Sequence, residues 1–429
     1  MPSKSFFGYA KPAFHYELLS TTLPQPVPVP PAGSVTLLLP QEMGMKPSET
    51  IKVGAKVKTG QRLAWNDASG PSVVASITGT ITKIAAYVGD YGQQYTAITV
   101  VGEGEEQWDD QFAKAAASTP SAKVLNDYLS AAPGGAPLEK LLNENKPIDT
   151  VIIYGGDTDL LVETNLFALK SQTRLVNQGI KTIKAATGIE KVVLAVPAES
   201  FQNFDGHFEA DVKSVPATYP GAQLLMIHHL MTGQMLAQGQ TPEDVGVLYM
   251  RAEAVAAIGS AVSEGRIPVD KVLTVVDKQG NRTLVSARIG TPVGDVLKRL
   301  KITTTGGDRI ISGGPMTGSA IYSEDQPVTP ITDAVMVQDG SDIIPVGEDP
   351  CINCGECIRI CPTKVPVNLL IRFLEAGQYQ DGADLYDLYS CVECGLCSFV
   401  CVSRIPILQY IKLAKYELAR AIPAEDENE

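Results

Sequence analysis

Cysteine is absent from the first 350 residues of this chain of 429, and all eight cysteines lie between Cys351 and Cys401. A disulfide framework would distribute its cysteines so that each bond staples a different loop, and it would suit a secreted chain. The sequence therefore does not support a disulfide scaffold. Eight thiols in so short a segment indicate metal binding.

Long apolar runs and an excess of positive charge are also missing. No apolar run approaches the roughly 20 residues that a membrane-spanning helix needs, and Met1–Ser20 lacks the cationic start and apolar core of a signal peptide. Lys and Arg number 35 against 48 Asp and Glu, a net charge of −13, which repels phosphate backbones. We therefore expect a cytoplasmic protein that does not bind nucleic acid and that reaches a membrane only through partners.

The residue pattern predicts a multidomain chain that combines α/β and β structure. Short alternating strands broken by glycine predict a β domain, and buried strands alternating with helical periodicity predict a largely parallel α/β sheet. A Pro-rich stretch at 23–31 predicts an extended lead-in outside any core. The predicted parts are an N-terminal extension at 1–32, the β domain at 33–102, the α/β domain at 120–268, a hairpin and short helix at 269–340, the cysteine segment at 345–421 and an acidic tail at 422–429.

The cysteines fall into two runs with the same spacing, each a Cys-x2-Cys-x2-Cys-x3-Cys. This spacing is typical of ferredoxins with two [4Fe-4S] clusters, in which the fourth cysteine of each run binds the other cluster. Structural zinc is the alternative, but zinc takes four ligands and leaves the third cysteine of each run without a role. The predicted ligands are Cys351, Cys354, Cys357 and Cys401 for cluster 1, and Cys391, Cys394, Cys397 and Cys361 for cluster 2.

Several stretches along the chain resemble the RnfC subunit of the Rnf membrane electron-transport complex, over roughly residues 33–421. The cysteine segment carries the most specific likeness. The stretch ISGGPMTG at 311–318 resembles that family's GGPMMG segment, and RIGTPVGDVL at 288–297 resembles its SLBB module. The resemblance implies a barrel-sandwich hybrid domain at 33–102, an α/β domain like the flavin subunit of complex I, an SLBB β-grasp-like module and a helical two-cluster ferredoxin domain.

RnfC subunits bind FMN and NADH in the α/β domain, and this chain departs from the family at each stretch that forms that site. The Gly-rich loop GxGGAxFPT is reduced to Gly134 and Gly135 between prolines. In the NGAECEP stretch the acidic positions are Asp157 and Asp159. In the QNVGT-like run, which is MRAEA at 250–254 here, Asn and Thr are replaced. These departures predict a degenerate flavin and NADH site.

Simpler interpretations exist for the same residues. Asp157 and Asp159 also suit solvated turn positions at a strand end, and two adjacent glycines suit an ordinary loop. His228 and His229 follow an apolar helical pattern, which favours packing over metal ligation.

Two functions remain open at this stage. The first is an electron-relay subunit of a membrane-associated redox complex, peripheral on the inner face of the cell membrane, with two [4Fe-4S] clusters and without FMN. Its partners would be other subunits, some of them membrane-embedded, and a protein electron donor or acceptor. The alternative is a subunit that oxidises NADH through a divergent FMN pocket, so whether the chain is itself an enzyme stays open. A scaffold role for the β modules is compatible with the first function.

Overall fold

The structure is a computed structural model that describes residues 12–16, 24–41, 51–65, 70–117, 119–204, 206–237, 239–347 and 349–421. The acidic tail at 422–429 and much of the N-terminal extension lie outside these residues. Across the described ranges, no helix is long and apolar enough to cross a membrane.

The described strands and α-helices have the following bounds. The strands are β1 (Val27–Pro28), β2 (Ser34–Pro40), β3 (Lys56–Val57), β4 (Arg62–Ala64), β5 (Ser72–Val74), β6 (Gly79–Val88), β7 (Gln94–Gly102), β8 (Thr150–Tyr154), β9 (Lys191–Pro197), β10 (Asp211–Val215), β11 (Val247–Arg251), β12 (Asp270–Val276), β13 (Arg282–Arg288), β14 (Arg309–Ser312), β15 (Ser319–Ile321) and β16 (Ala334–Gln338). The α-helices are α1 (Gln111–Ala115), α2 (Ala122–Leu129), α3 (Thr164–Ser171), α4 (Thr173–Thr187), α5 (Phe201–Phe204), α6 (Leu224–Thr232), α7 (Ala252–Glu264), α8 (Val293–Arg299), α9 (Glu356–Ile360), α10 (Val367–Glu375), α11 (Tyr379–Tyr386), α12 (Leu396–Phe399) and α13 (Ile407–Ala421).

The N-terminal β domain has a four-stranded sheet in the order β2-β7-β6-β3, with β4 and β5 paired separately. Buried and partly exposed residues alternate along β2, which is the period of a strand with one face in a core. Leu37, Leu39, Leu63, Ile81 and Ile98 are among its fully buried side chains. The predicted β domain is therefore present between residues 34 and 102.

The prediction that residues 23–31 lie outside any core is wrong. Val27 and Pro28 form β1, which pairs with β13 at the edge of a six-stranded sheet in another part of the chain. The Val29 N–H donates to the Ser286 carbonyl over 2.8 Å, and the Val29 side chain is buried. Proline lacks an N–H, but alternation of valine and proline leaves the valine donors free to pair. An edge strand tolerates the missing donors at the proline positions, because one of its sides has no neighbouring strand.

The α/β region is built on a parallel four-stranded sheet with the order β10-β9-β8-β11. The chain runs outward from β8 through β9 to β10 and then returns to place β11 on the other side of β8. The carboxyl ends of β8 and β11 therefore flank the point where the strand order reverses, which is where ligands bind in sheets of this kind. The sequence pattern did not predict β10, whose stretch DVKSV has only two buried positions.

The six-stranded sheet follows the α/β region, with the order β1-β13-β12-β16-β14-β15 and α8 packed on it. The predicted hairpin is present, since β12 and β13 pair antiparallel over their full length. Beyond this sheet, α9 to α13 form a helical region. Its core contains Leu370, Leu374, Ile407, Ile411 and Ala414 together with buried cysteines.

Candidate iron–sulfur centres and the sheet edge beside them

The two cysteine runs adopt the same backbone conformation. Each run has a non-glycine residue with positive φ, Asn353 at 58° and Glu393 at 55°, directly before its second cysteine. A glycine with positive φ follows that cysteine in both runs, and a short helix, α9 or α12, then carries the third cysteine. The chain is thus wrapped twice into the same tight turn, with three thiols of each run on one loop.

The structure brings the cysteines together in the crossed sets that the spacing predicts. One apolar cavity is lined by Cys351, Cys354, Cys357 and Cys401, so the fourth cysteine of the second run joins the first three of the first run. In the other set, burial and the neighbouring thiols, Cys361 among them, raise the pKa of Cys391 to about 11 and that of Cys394 to about 12. The fourth cysteine of the first run is therefore beside the second loop.

These residues fit iron–sulfur clusters by their chemistry. Raised thiol pKa values mean that bare thiolates are disfavoured in the apolar surroundings, and bound iron would supply the positive charge that stabilises them. The N–H groups of Glu393 and Ile405 donate to the sulfurs of Cys391 and Cys401, each over 3.4 Å, as backbone donors to cluster thiolates do. Among the described residues, no group of three or more His, Cys, Asp or Glu is arranged to hold a single metal ion. A four-iron cluster makes a different demand, because each of its thiolates binds a different iron atom.

The loop of the second run is covered by distant parts of the chain. The Tyr219 hydroxyl donates to the Cys394 carbonyl over 2.6 Å, and burial raises the pKa of Tyr219, so the group stays protonated. The Met316 carbonyl lies so close to Gly395 that a Cβ atom there would overlap it. The Lys412 ammonium donates to the Thr317 carbonyl over 2.6 Å. The α/β region and the six-stranded sheet therefore both hold this loop in place.

Sequence reasoning did not assign these covering contacts to the cysteine site. Tyr219 and Cys394 are 175 residues apart, and no pattern in either stretch links them. Met316 and Thr317 lie in the ISGGPMTG stretch that the resemblance singled out, so that stretch was the one available signal.

Asp157 and Asp159, at the carboxyl end of β8, are both buried, and the interpretation of solvated turn residues is wrong. Asp157 accepts hydrogen bonds from the backbone N–H groups of Asn165 and Leu166 at the start of α3, over 2.9 and 3.3 Å. Asp159 accepts from the backbone N–H and the hydroxyl of Thr317, each over 2.7 Å. Both carboxylates therefore serve internal contacts, and Asp159 fixes the segment that covers Gly395.

The electrostatics of this edge follow from burial. Burial and the nearby Asp333 carboxylate raise the pKa of Asp157 to about 7. Burial also raises the pKa of Asp159, against the hydrogen bonds from Thr317 that lower it. The two carboxylates border a cavity of about 30 Å³, which has room for water.

Gly134 lies against the first turn of α7, the helix that follows β11, and Gly135 lies against the Ile331 side chain. A Cβ atom on Gly134, whose φ is +87°, would overlap the backbone of Ala254, and the Gly134 N–H donates to the Pro330 carbonyl over 2.8 Å. Only glycine permits this close approach. The first turn of such a helix is where an anionic phosphate binds in dinucleotide sites, and here the glycine loop itself is packed there.

Four charged side chains fill the space between the carboxyl end of β11 and the six-stranded sheet. Arg251 forms an ion pair with Asp333, and the fully buried Lys271 forms one with Glu253. Lys271 also lies 3.3 Å from Asp333, so two cations and two carboxylates form a single neutralised network. His228 is buried elsewhere in this region, with its Nδ1 3.0 Å from the Tyr249 hydroxyl, in agreement with a packing role.

Known proteins share this arrangement of parts. The RnfC barrel sandwich hybrid domain matches residues 19–105, and the 4Fe-4S dicluster domain matches residues 343–402. A component of the proton-translocating ferredoxin:NAD(+) oxidoreductase complex of Clostridium ljungdahlii is 27% identical over 433 residues, covering 96% of this chain and 94% of that protein. The chain is RnfC-like. The predicted resemblance, the barrel-sandwich domain and the iron–sulfur class of the C-terminal segment are confirmed.

Other relatives are longer than this RnfC-like chain. A component of the ion-translocating oxidoreductase complex of Edwardsiella ictaluri is 27% identical over 409 residues, which are 91% of this chain but only 51% of the relative. The chain thus spans about half the length of that protein. A solved NAD+-reducing [NiFe]-hydrogenase in the H2-reduced state aligns with a TM-score of 0.44 and 11% identity, over 72% of this chain and 61% of that one.

Proposed function

We propose that this RnfC-like chain is an electron-relay subunit that carries two [4Fe-4S] clusters and passes single electrons between protein partners. The observation that carries the proposal is the crossed grouping of the thiols, with Cys401 in the cavity of the first loop and Cys361 beside the second. A [4Fe-4S] cluster, when bound, takes up and releases one electron. The residues of the chain hold it, exclude water from it and donate hydrogen bonds to its thiolates.

We further propose that the chain has no FMN or NADH site of its own. Asp157, Asp159 and Arg251, which match positions of the RnfC cofactor site, are each engaged by other residues of the chain. Gly134 is packed on the helix turn that would receive a phosphate. Glu253 in that same turn is engaged in the ion pair with Lys271.

The alternative, NADH oxidation through a divergent FMN pocket, is favoured by one observation. The second cysteine loop lies against the carboxyl edge of the parallel sheet, through Tyr219 and the Asp159-held segment. An electron released by a cofactor at that edge would reach this loop first. The two functions therefore differ in the state of one pocket, and not in the arrangement of the clusters.

Cofactor analysis of the anaerobically purified full chain separates the two functions. We expect about eight iron and eight acid-labile sulfide per chain and no flavin. The protein is then incubated with FMN, passed over a desalting column and titrated with NADH. Stoichiometric flavin retention with bleaching of the cluster absorption would establish the NADH-oxidising function, and a zinc-loaded protein without sulfide would overturn both.

The finer domain assignment and the cellular setting belong to the same proposal. Residues 120–268 form the α/β domain with the degenerate cofactor site, 269–340 the SLBB module and 345–421 the ferredoxin domain. Relatives are named as subunits of ion- or proton-translocating oxidoreductase complexes. We accordingly propose other subunits of a redox complex as partners, some of them membrane-embedded, with this chain peripheral on the inner face of the cell membrane.

A further inference from the structure

The two cysteine sets differ in their access to solvent. Cys354 is exposed, whereas its counterpart Cys394 is buried. The cavity that holds Cys354 is also lined by Ile352 and Val402, whose exposed fractions are 63% and 64%. These large apolar side chains therefore stand in water directly beside an exposed thiol of cluster 1.

The residues that follow Cys401 are held beside the chain before the first cysteine. The Gly347 N–H donates to the Arg404 carbonyl over 3.1 Å, and the Ser403 hydroxyl donates to the Pro350 carbonyl over 3.2 Å. Val402 lines the same cavity as Ile352. We call Ile352 and Val402 the apolar collar.

We propose that the apolar collar is the docking surface for a redox protein whose own cofactor lies at an apolar patch, and that electrons pass there between that cofactor and cluster 1. In each encounter the partner cofactor loses one electron and the iron held by the Cys354 set gains it, or the reverse, and no bond is made or broken. This inference rests on the proposed function, since it needs the clusters to be bound.

The collar suits such a partner for two reasons. Exposed apolar side chains grouped around one point mark interaction sites, because covering them removes apolar surface from water. Electron transfer slows steeply with distance, so a useful partner must cover the place where a cluster ligand reaches the surface. Redox encounters need only a small interface, and a few apolar side chains around one exposed thiol are enough for it.

The second cysteine loop is the more enclosed of the two within the described ranges. Its glycine, Gly395, is covered by Met316, whereas Gly355 in the first loop has no described atom within 4 Å of a Cβ position. Its second cysteine offers no exposed surface either, because Cys394 is buried and its carbonyl accepts from Tyr219. We therefore expect a protein-sized partner to reach cluster 1 more readily than cluster 2 at these two loops.

Cluster access is tested first without any electron-transfer assay. The full chain with both clusters is treated anaerobically with the iron chelator bathophenanthroline disulfonate, and iron release is followed with time. We expect about half of the iron in a fast phase and half in a slow phase. Cys401→Ala should abolish the fast phase and Cys361→Ala should leave it. A fast phase that disappears in Cys361→Ala instead would overturn the proposal.

The collar is then tested with a protein-sized oxidant, ferric cytochrome c, and a small one, ferricyanide. The variant Ile352→Arg/Val402→Arg should lower the rate constant for cytochrome c at least about fivefold and leave that for ferricyanide within about twofold, since cytochrome c is cationic and must dock. The matched control is Tyr322→Arg/Leu385→Arg, which adds the same charge at two apolar residues that are 86% and 65% exposed but do not line the cavity.

Equal effects of the two double variants would overturn the proposal, because a net-charge effect alone would then explain the rates. A wild-type dimer in sedimentation equilibrium that the collar variant dissociates would also overturn it, since the collar would then bind a second copy. Iron and flavin contents are measured on the wild type and on every variant. Full iron loading of the collar variant without an effect on the cytochrome c rate means that only this inference fails, whereas failure of the wild type to bind about eight iron atoms means that the proposed function fails.

Discussion

The two halves of the cysteine segment fold alike but differ in what surrounds them. Gly355 and Gly395 adopt φ values of 77° and 73°, and each precedes a short helix that carries a cysteine. Yet Cys354 is exposed and Cys394 is buried. The repeated spacing therefore sets the shape of each loop, whereas the exposure of each loop is set by segments that are far away in the sequence.

This difference shows that the spacing of a cysteine run does not reveal whether its loop is accessible to other molecules. The second loop is enclosed by Tyr219 from the α/β region and by Met316 from the six-stranded sheet. The corresponding side of the first loop remains open and apolar. Environment, not cysteine spacing, distinguishes the enclosed loop from the open one in this chain. We call the proposed cluster of the second loop the inner cluster and that of the first loop the outer cluster.

The largest effect that tests the comparison is the loss of a whole cluster. If the sets are crossed, Cys361→Ala/Cys394→Ala removes two ligands of the same cluster, and the chain should retain about four iron atoms. Cys361→Ala/Cys354→Ala then removes one ligand from each cluster, and iron should fall well below four. Iron and acid-labile sulfide are measured per chain after anaerobic purification.

The single variant Cys361→Ala serves as the control for those two proteins. It should resemble Cys361→Ala/Cys394→Ala in iron content. If the variant with Cys354→Ala is the one that retains about four iron atoms, each run binds its own cluster and the crossed assignment is wrong.

Much of the fold could be predicted from the sequence, because local periodicity specified it. The hairpin of β12 and β13, helix α7 and the terminal helix α13 all lie where the apolar pattern places them. The pairing of β1 with β13 could not be predicted, since a Pro-rich stretch carries no strand signal and its partner lies more than 250 residues away. Long-range packing, not local preference, creates that strand.

The candidate site, like the fold, could be predicted from the sequence only in part. Spacing predicts the ligand sets of the cysteines, which stay a prediction, because the tight turn and short helix of each run are local features. The burial of Asp157 and Asp159 could not be predicted, since their partners in α3 and at Thr317 come together only in the folded chain. Short acidic residues after a strand look the same in sequence whether water or the N–H groups of a helix terminus donate hydrogen bonds to them.

A second test uses pH, because the loop after β8, which holds the segment that covers Gly395, carries the buried and titratable Asp157 carboxyl. Asp157 has a pKa of about 7 in the fold against an ordinary value of 3.8. Between those values the folded chain holds a proton that the unfolded chain has released, so the free energy of unfolding should fall as pH rises from about 4 to about 7 and then level off. The slope is at most about 1.4 kcal/mol per pH unit.

Chemical unfolding of the wild type and of Asp157→Asn across that range measures the slope. The variant keeps one acceptor oxygen, for the Asn165 N–H, and turns an NH2 group toward the Leu166 N–H, so it should lose stability at every pH. It does not titrate, so its slope should be smaller. Identical slopes in the two proteins would show that Asp157 is already ionised at low pH in the folded chain.

A third test compares the two loop glycines directly. Gly355→Ala should cost about 1–2 kcal/mol, because alanine is strained at positive φ and nothing else is near. Gly395→Ala meets the same strain and also the Met316 carbonyl, so it should cost a further amount of about 1–3 kcal/mol. Denaturant unfolding of the cluster-loaded proteins measures the difference. Equal losses would mean that the covering segment moves aside freely and that the second loop is not held as described.

The smallest effect tests whether the Tyr219 hydroxyl also sets the reduction potential of the inner cluster. Tyr219→Phe removes the hydroxyl that donates to the Cys394 carbonyl and keeps the buried ring, so the free energy of unfolding should fall by about 1 kcal/mol. The lost O–H dipole pointed its positive end toward the cluster loop. Its removal should lower the reduction potential of the inner cluster and leave that of the outer cluster unchanged.

Tyr249→Phe is the matched control, because it removes a buried hydroxyl paired with His228 in the same region. It should cost similar stability without shifting either potential. Potentiometric titrations followed by electron paramagnetic resonance measure both clusters. A shift of both potentials in Tyr219→Phe, or the same shift in Tyr249→Phe, would show that the change spreads through the domain and does not act through the Cys394 peptide.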